Sequence, residues 1–175
     1  MLHGVGAAEP PIDVLHIAEE HEGLDVQQHA DPRVAAGISP KDAPRPLSGV
    51  LLPADRRIWV NAVEAARSEA RARFTIAHEL GHWRLHASGT GKHARFCRPE
   101  DIGAATAELR STRRLEREAN RFAAELLMPA ALVRERAEAA RLSVPHLALS
   151  FGVSAAAMQV RLEVLDLLPD YMRTR

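Results

Sequence analysis

Residues 73–86 read RFTIAHELGHWRLH, and the fold turns on how this stretch is read. Composition and length predict a helix that extends back through EARA to Glu69. On a helix His78 and His82 are four residues apart, so their rings project from one face about one turn apart. Two imidazoles so placed can hold one zinc ion. Glu79 lies roughly 100 degrees round the helix from His78, where it can reach a water beside the metal without ligating the metal itself. Phe74, Ile76, Ala77, Leu80 and Gly81 supply apolar and small neighbours, and Gly81 would let another element come close. The plain alternative is a solvated helix turn that happens to carry histidines.

A catalytic zinc takes three protein ligands and keeps one position open. The third is sought in RRLEREANRFAAELLMP, residues 113–129. A helix that turns Glu116 towards the metal turns Asn120 there too, one turn on. The amide oxygen of Asn120 could then accept the free ring N–H of a ligating histidine and fix its tautomer. Glu118 is the fallback ligand, because its neighbour four residues on is Phe122, a core residue. Against both stands a reading as solvated charges among Arg113, Arg114, Arg117 and Arg121. His86 lies about 12 Å along the axis from His78, too far to share one metal, and is expected to cap or pack at the helix end. Cys97, beside Phe96, reads as a small buried hydrophobe rather than a thiolate ligand. His93 and Tyr171 are weaker candidates still, for an oxyanion contact and for catalysis.

Composition narrows the setting. The chain has 175 residues, enough for one domain with a sizeable core. Its 23 basic and 23 acidic residues cancel, so charge gives no argument for a nucleic-acid or membrane partner. A single cysteine rules out a disulfide within the chain and suits a reducing compartment. The first residues do not follow the signal-peptide pattern, and no apolar run approaches the roughly 18 residues that span a bilayer. A cytoplasmic protein without a membrane partner is expected.

Along the chain, residues 12–22 have mostly helical spacing and predict a short first helix. Residues 30–48 carry four prolines and read as a surface-wrapping loop, mobile in part. Two apolar runs, Val50-Leu51-Leu52 and Ile58-Trp59-Val60, flank Pro53 to Arg56 and predict a hairpin. They are the only good strand candidates, so the sheet is small. A long helical stretch from about Ala104 to Leu142 is interrupted at Pro129, and residues 143–168 read as two short helices around Gly152. The fold class is α+β and mostly helical, with a domain over residues 1–142 and a C-terminal helical segment, 143–175, packed on it.

HELGHWRLH followed by EREANRFAAELLMP resembles the ImmA/IrrE family of metallo-endopeptidases. The second segment is the more specific, since His-Glu-x-x-His occurs in many unrelated proteins. The resemblance implies a gluzincin-like, zincin-type core with an active-site helix, a small sheet and a third-ligand glutamate on a following helix. It implies one zinc per chain held by His78, His82 and Glu116, with Glu79 as general base. Gluzincin sites carry Glu-x-x-x-Asp or Asn, which agrees with choosing Glu116 over Glu118. Members are typically intracellular. Some relieve repression by cleaving a helix-turn-helix repressor, often encoded beside them on mobile elements or in stress-response loci.

The reaction expected is hydrolysis of a peptide bond in such a regulatory protein. The strand of Arg57, Ile58, Trp59, Val60 and Asn61 precedes the active-site helix, and its free edge would pair with an extended substrate. The rival class is a protein that acts by binding: a zinc-containing transcription or stress regulator, or a toxin–antitoxin partner. Residues 143–168 have a helix-turn-helix outline, with Gly152 at the turn, Ser154 as a cap, and Leu147, Phe151, Val153, Met158 and Leu162 packing together. A DNA reader needs basic side chains there, and Arg161 is the only Lys or Arg between Val144 and Leu165. Packing or partner docking is favoured over DNA binding.

Overall fold

The computed structural model describes residues 9–39, 41, 43, 45–86, 95–97, 107–139 and 142–169, with backbone alone at 95–97, 107–112 and 139. By contacts the chain divides into two units, residues 14–123 and residues 1–13 with 124–175. His93 and Tyr171 lie outside the described residues, and Cys97 is described by its backbone only.

In the larger unit the two apolar runs form the expected hairpin. Strands β2 (Gly49–Leu52) and β3 (Arg57–Asn61) pair antiparallel, with Val50 opposite Trp59 and Leu51 opposite Ile58. A single 3-10 turn, Pro53–Asp55, joins them. The sheet is larger than the sequence suggests. Strand β1 (Asp25–His29) pairs parallel with β3, and β4 (Arg95–Cys97) pairs antiparallel with β2, giving the order β1-β3-β2-β4. The sequence DVQQH hid β1, because its alternation of apolar and polar residues is too weak to signal a strand.

This order overturns one expectation. Strand β3 is flanked on both sides, so residues 57–61 offer no free edge to a substrate. Each of the five residues has other work. Arg57 pairs with Asp25 at 2.7 Å. Ile58 and Val60 are buried. Trp59 packs on a small core of Ala43, Leu47 and Val50. The Asn61 carboxamide oxygen accepts from the backbone of Val63 and Glu64, capping the next helix, while its nitrogen donates to Leu47 O.

The first helix is present as α1 (Val14–His16), continued by a π-helical turn, Ile17–His21. The proline-rich segment is only partly a surface loop. It contains α2 (Pro32–Ala35), capped by the Asp31 carboxylate, and it sends Ala43 and Leu47 into the core. Its apolar residues cover the sheet face that presents Val50 and Trp59. After α3 (Ala62–Arg67) comes α4 (Glu69–His86), with the bounds read from the sequence. It covers the opposite face of the sheet, that of Gly49, where Thr75 and Glu79 meet β2. Residues 75–82 are buried without a break, so this helix has no solvent-exposed face in its middle. Two histidines and a glutamate are thereby enclosed in the interior.

Helix α5 (Ala107–Leu127) is strongly amphipathic. Ala119, Ala123, Leu126 and Leu127 are buried at the i, i+4, i+7, i+8 spacing of one face. The helix stops before Pro129, and α6 (Ala130–Ala139) follows.

In the smaller unit α7 (Val144–Phe151) and α8 (Ala155–Val164) turn through 106° about Gly152, within the range of a helix-turn-helix. Leu147, Phe151, Val153, Met158 and Leu162 are all buried, and Ser154 Oγ accepts from Ala157 N at 3.1 Å. Arg161, the one cation of this segment, is buried. It donates to Met128 O and forms a two-pronged pair with the Glu125 carboxylate. Among the described residues no single helix is long and apolar enough to cross a membrane.

Candidate metal centre

The third and fourth turns of α4 carry His78 and His82, both about 1% exposed. Their Nε2 atoms face each other at 3.0 Å. Glu116, reaching in from α5, places Oε2 3.1 Å from His78 Nε2 and Oε1 3.1 Å from His82 Nε2. Among the described residues this is the one group of three or more such side chains whose donor atoms converge closely enough to hold a metal ion.

The donor set fits a divalent cation. His78 Nδ1–H donates to Asn120 Oδ1 at 3.0 Å, which leaves the Nε2 of a neutral His78 as a lone pair aimed at His82 and Glu116. Metal–nitrogen bonds of 2.0–2.1 Å in a tetrahedron separate donors by roughly 3.3 Å, close to the spacing seen here. Few other arrangements would gather two ring nitrogens and a carboxylate at such range in a buried place.

Charge follows the same geometry. Burial would raise the pKa of Glu116, but in the metal-free site the close ring nitrogens of His78 and His82, which can hold a proton when no ion is bound, outweigh it, and the carboxyl is held down at about 2. Burial lowers the pKa of His82, with Glu116 opposing, so the neutral ring that a metal requires is the favoured form.

Glu79 behaves differently. It is fully buried, and neither carboxylate oxygen has a hydrogen-bond partner among the described residues. Burial pushes its pKa from 4.5 up to about 8; Glu116 adds to this, while His78 opposes it, as does a backbone contact from Leu51 that is too poorly aligned to count as a full hydrogen bond. A buried carboxyl with no partner is costly to keep and is found where chemistry needs it.

Two glycines bring the walls in. A Cβ on Gly49 would stand 2.5 Å from Thr75 Cγ2 and 3.1 Å from Glu79 Oε1, so β2 rests directly on the carboxylate. A Cβ on Gly81 would stand 3.0 Å from Ala119 Cα, so α5 rests directly on α4, as the sequence suggested for this glycine. Gly49 and Thr75 went unnoticed in the sequence. The one available signal was a glycine opening an apolar strand, which marks close backbone approach as often as a turn.

The remaining sequence candidates fall elsewhere. Glu118 points away from the trio, accepting from Arg114 Nε at 2.8 Å and standing 3.7 Å from His86 Nε2. His86 is a packed ring, 5.5 Å from His82 between centroids, and is not among the converging donors. Around the helix end, Glu22 accepts from Trp83 Nε1 at 3.2 Å and pairs with Arg84. The guanidinium of Arg56 lies over the Trp83 ring.

A family model described as Peptidase M78, the IrrE N-terminal-like domain, matches residues 45–163, more than half of the chain. The match takes in β2, β3, α4 and α5, and so every residue of the site above. No curated protein matches the chain closely enough to stand as a relative.

Proposed function

The chain belongs to the IrrE N-terminal-like peptidase family, and on that premise we propose that it is a zinc-dependent endopeptidase that cuts one specific regulatory protein. A metallopeptidase-type function follows from the family and from a trio of side chains close enough to bind a metal ion. The finer reading is that the ion is zinc, that the protein works in the cytoplasm, and that the substrate is a helix-turn-helix repressor encoded nearby.

The observation that carries the reading is Glu79. Among the described residues it is the one fully buried carboxyl beside the trio, and its oxygens make no well-formed hydrogen bond. A divalent ion held by His78, His82 and Glu116 supplies Lewis acidity towards a peptide carbonyl and towards water. With a dication held by the trio, Glu79 would be ionised despite its burial, so it could take a proton at a carboxylate oxygen and return it to the leaving amine. The low-dielectric surroundings favour its neutral form once it holds that proton. Asn120 keeps the His78 ring turned with its Nε2 inward.

With β3 closed on both sides, the substrate strand is assigned to the sheet's edge instead. Of the two outer strands among the described residues, β1 and β4, we choose β4, the one paired with β2. Its Cys97 lies opposite Gly49, the residue that rests on Glu79. An extended peptide added alongside β4 would continue the sheet past the carboxylate.

Co-expression of the chain with a neighbouring repressor tests the proposal. Wild type should yield a specific repressor fragment and leave casein intact. Glu79→Gln should yield no fragment while keeping its zinc. An uncut repressor with wild type, or an equal fragment with Glu79→Gln, would refute the assignment.

A further inference from the structure

We propose that Gly81 is a positioning residue of the metal centre: its lack of a side chain sets how close α5 comes to α4, and hence how far Glu116 reaches. This rests on reading His78, His82 and Glu116 as a metal site.

A Cβ on Gly81 would meet Ala119 Cα at 3.0 Å, Ala119 O at 3.1 Å and Phe122 Cβ at 3.2 Å. Two of these atoms are backbone and the third is fixed to it, so none can swing aside. Relief has to come from moving one helix against the other by a few tenths of an ångström. The contact also sits in the middle of the site. Gly81 lies between His78 and His82 on α4, and Ala119 lies between Glu116 and Asn120 on α5. The three contacts that join these helices at the site, two from Glu116 at 3.1 Å and one from Asn120 at 3.0 Å, therefore surround the point of closest approach. Metal–ligand distances tolerate only about 0.2 Å, less than the movement a methyl group would demand.

Local propensity points the other way. Glycine is a poor helix residue and alanine the best, so α4 on its own would favour alanine at this position. A variant that gains helix propensity and loses metal affinity would separate the two effects.

The experiment is zinc titration against a competing chelator for wild type, Gly81→Ala, Glu116→Ala and the double variant, with far-ultraviolet circular dichroism on each. Gly81→Ala should keep the wild-type spectrum and bind zinc about tenfold or more weakly, the scale on which misplaced supports act. In the Glu116→Ala background the same change should cost much less than it does alone, because the group it positions is gone. Wild-type affinity in Gly81→Ala, or a full additive loss in the double variant, would overturn the proposal. So would a Gly81→Ala protein that fails to reach wild-type helical content, since the glycine would then serve the fold at large. If wild type itself takes up no zinc, the metal-site reading fails first and this proposal goes with it.

Discussion

His78 Nδ1 lies 3.0 Å from Asn120 Oδ1, so a residue of α5 fixes the orientation of a ring carried by α4. The Asn120 residue is otherwise exposed, and the fold makes little other use of it. Asn120→Ala should therefore lower zinc affinity by about 10–100-fold with little change in melting temperature. Asn120→Asp, which still offers an acceptor, should bind far better than Asn120→Ala. Chelator competition would compare them, and equal loss in both would show that the hydrogen bond is idle.

Glu116 and Glu118 are two residues apart but should respond oppositely. Glu116→Ala removes the carboxylate that faces both imidazoles, and the purified protein should carry far less zinc. Glu118→Ala removes only a surface partner of Arg114 and His86, so zinc content and melting temperature should both stay near wild type. Metal analysis of the two purified variants checks this. Zinc loss in Glu118→Ala would restore Glu118 as the ligand.

The metal-free protein should have its own pH signature. The folded state holds a proton on Glu79 up to about pH 8, whereas the unfolded chain releases it near 4.5. Between those values the unfolded state binds fewer protons, so stability falls as pH rises. Glu116, held at about 2, contributes stability that is present above about 4.5 and is lost as pH falls towards 2. Glu79→Gln removes the first effect alone. In chelator-treated samples it should be more stable than wild type at pH 8, with the advantage shrinking towards pH 5. Urea melts at the two pH values measure it, and an advantage that grows towards pH 5 would contradict the burial argument.

The terminal helices should not read DNA. Arg161 is enclosed and committed to Glu125 and Met128, so no cation of α8 faces outwards. Gel shifts on promoter DNA should show no salt-sensitive complex, and Arg161→Leu should change nothing there. Glu125→Ala should instead lower stability by about 1 kcal/mol, a modest figure because that carboxylate is half exposed.

The helices and the metal trio were legible because each obeys a short-range rule. The i, i+4 spacing of His78 with His82, and of Glu116 with Asn120, dictates shared faces before any tertiary structure is known. The sheet was legible only where local signals were strong, in the hairpin around Pro53. Strand β1 is mostly polar, and β4 is three residues long, so neither carries a pattern of its own. Their pairing is non-local, and it is this pairing that closed β3 and left β1 and β4 as the outer strands among the described residues. The seat of Glu79 against Gly49 was likewise invisible, since it joins residues thirty positions apart (79 − 49).

The unpartnered carboxyl of Glu79 bears on how such a chain can drift. A catalytic group is often held at some cost to stability, so replacing it need not disturb the fold. Here an uncharged or apolar residue would suit the enclosed position better than the acid it replaces. On the proposed reading, burial of Glu79 favours loss of the base rather than opposing it. A descendant could give up hydrolysis in one step, keep its shape and its three ligands, and persist as a protein that only binds its former substrate.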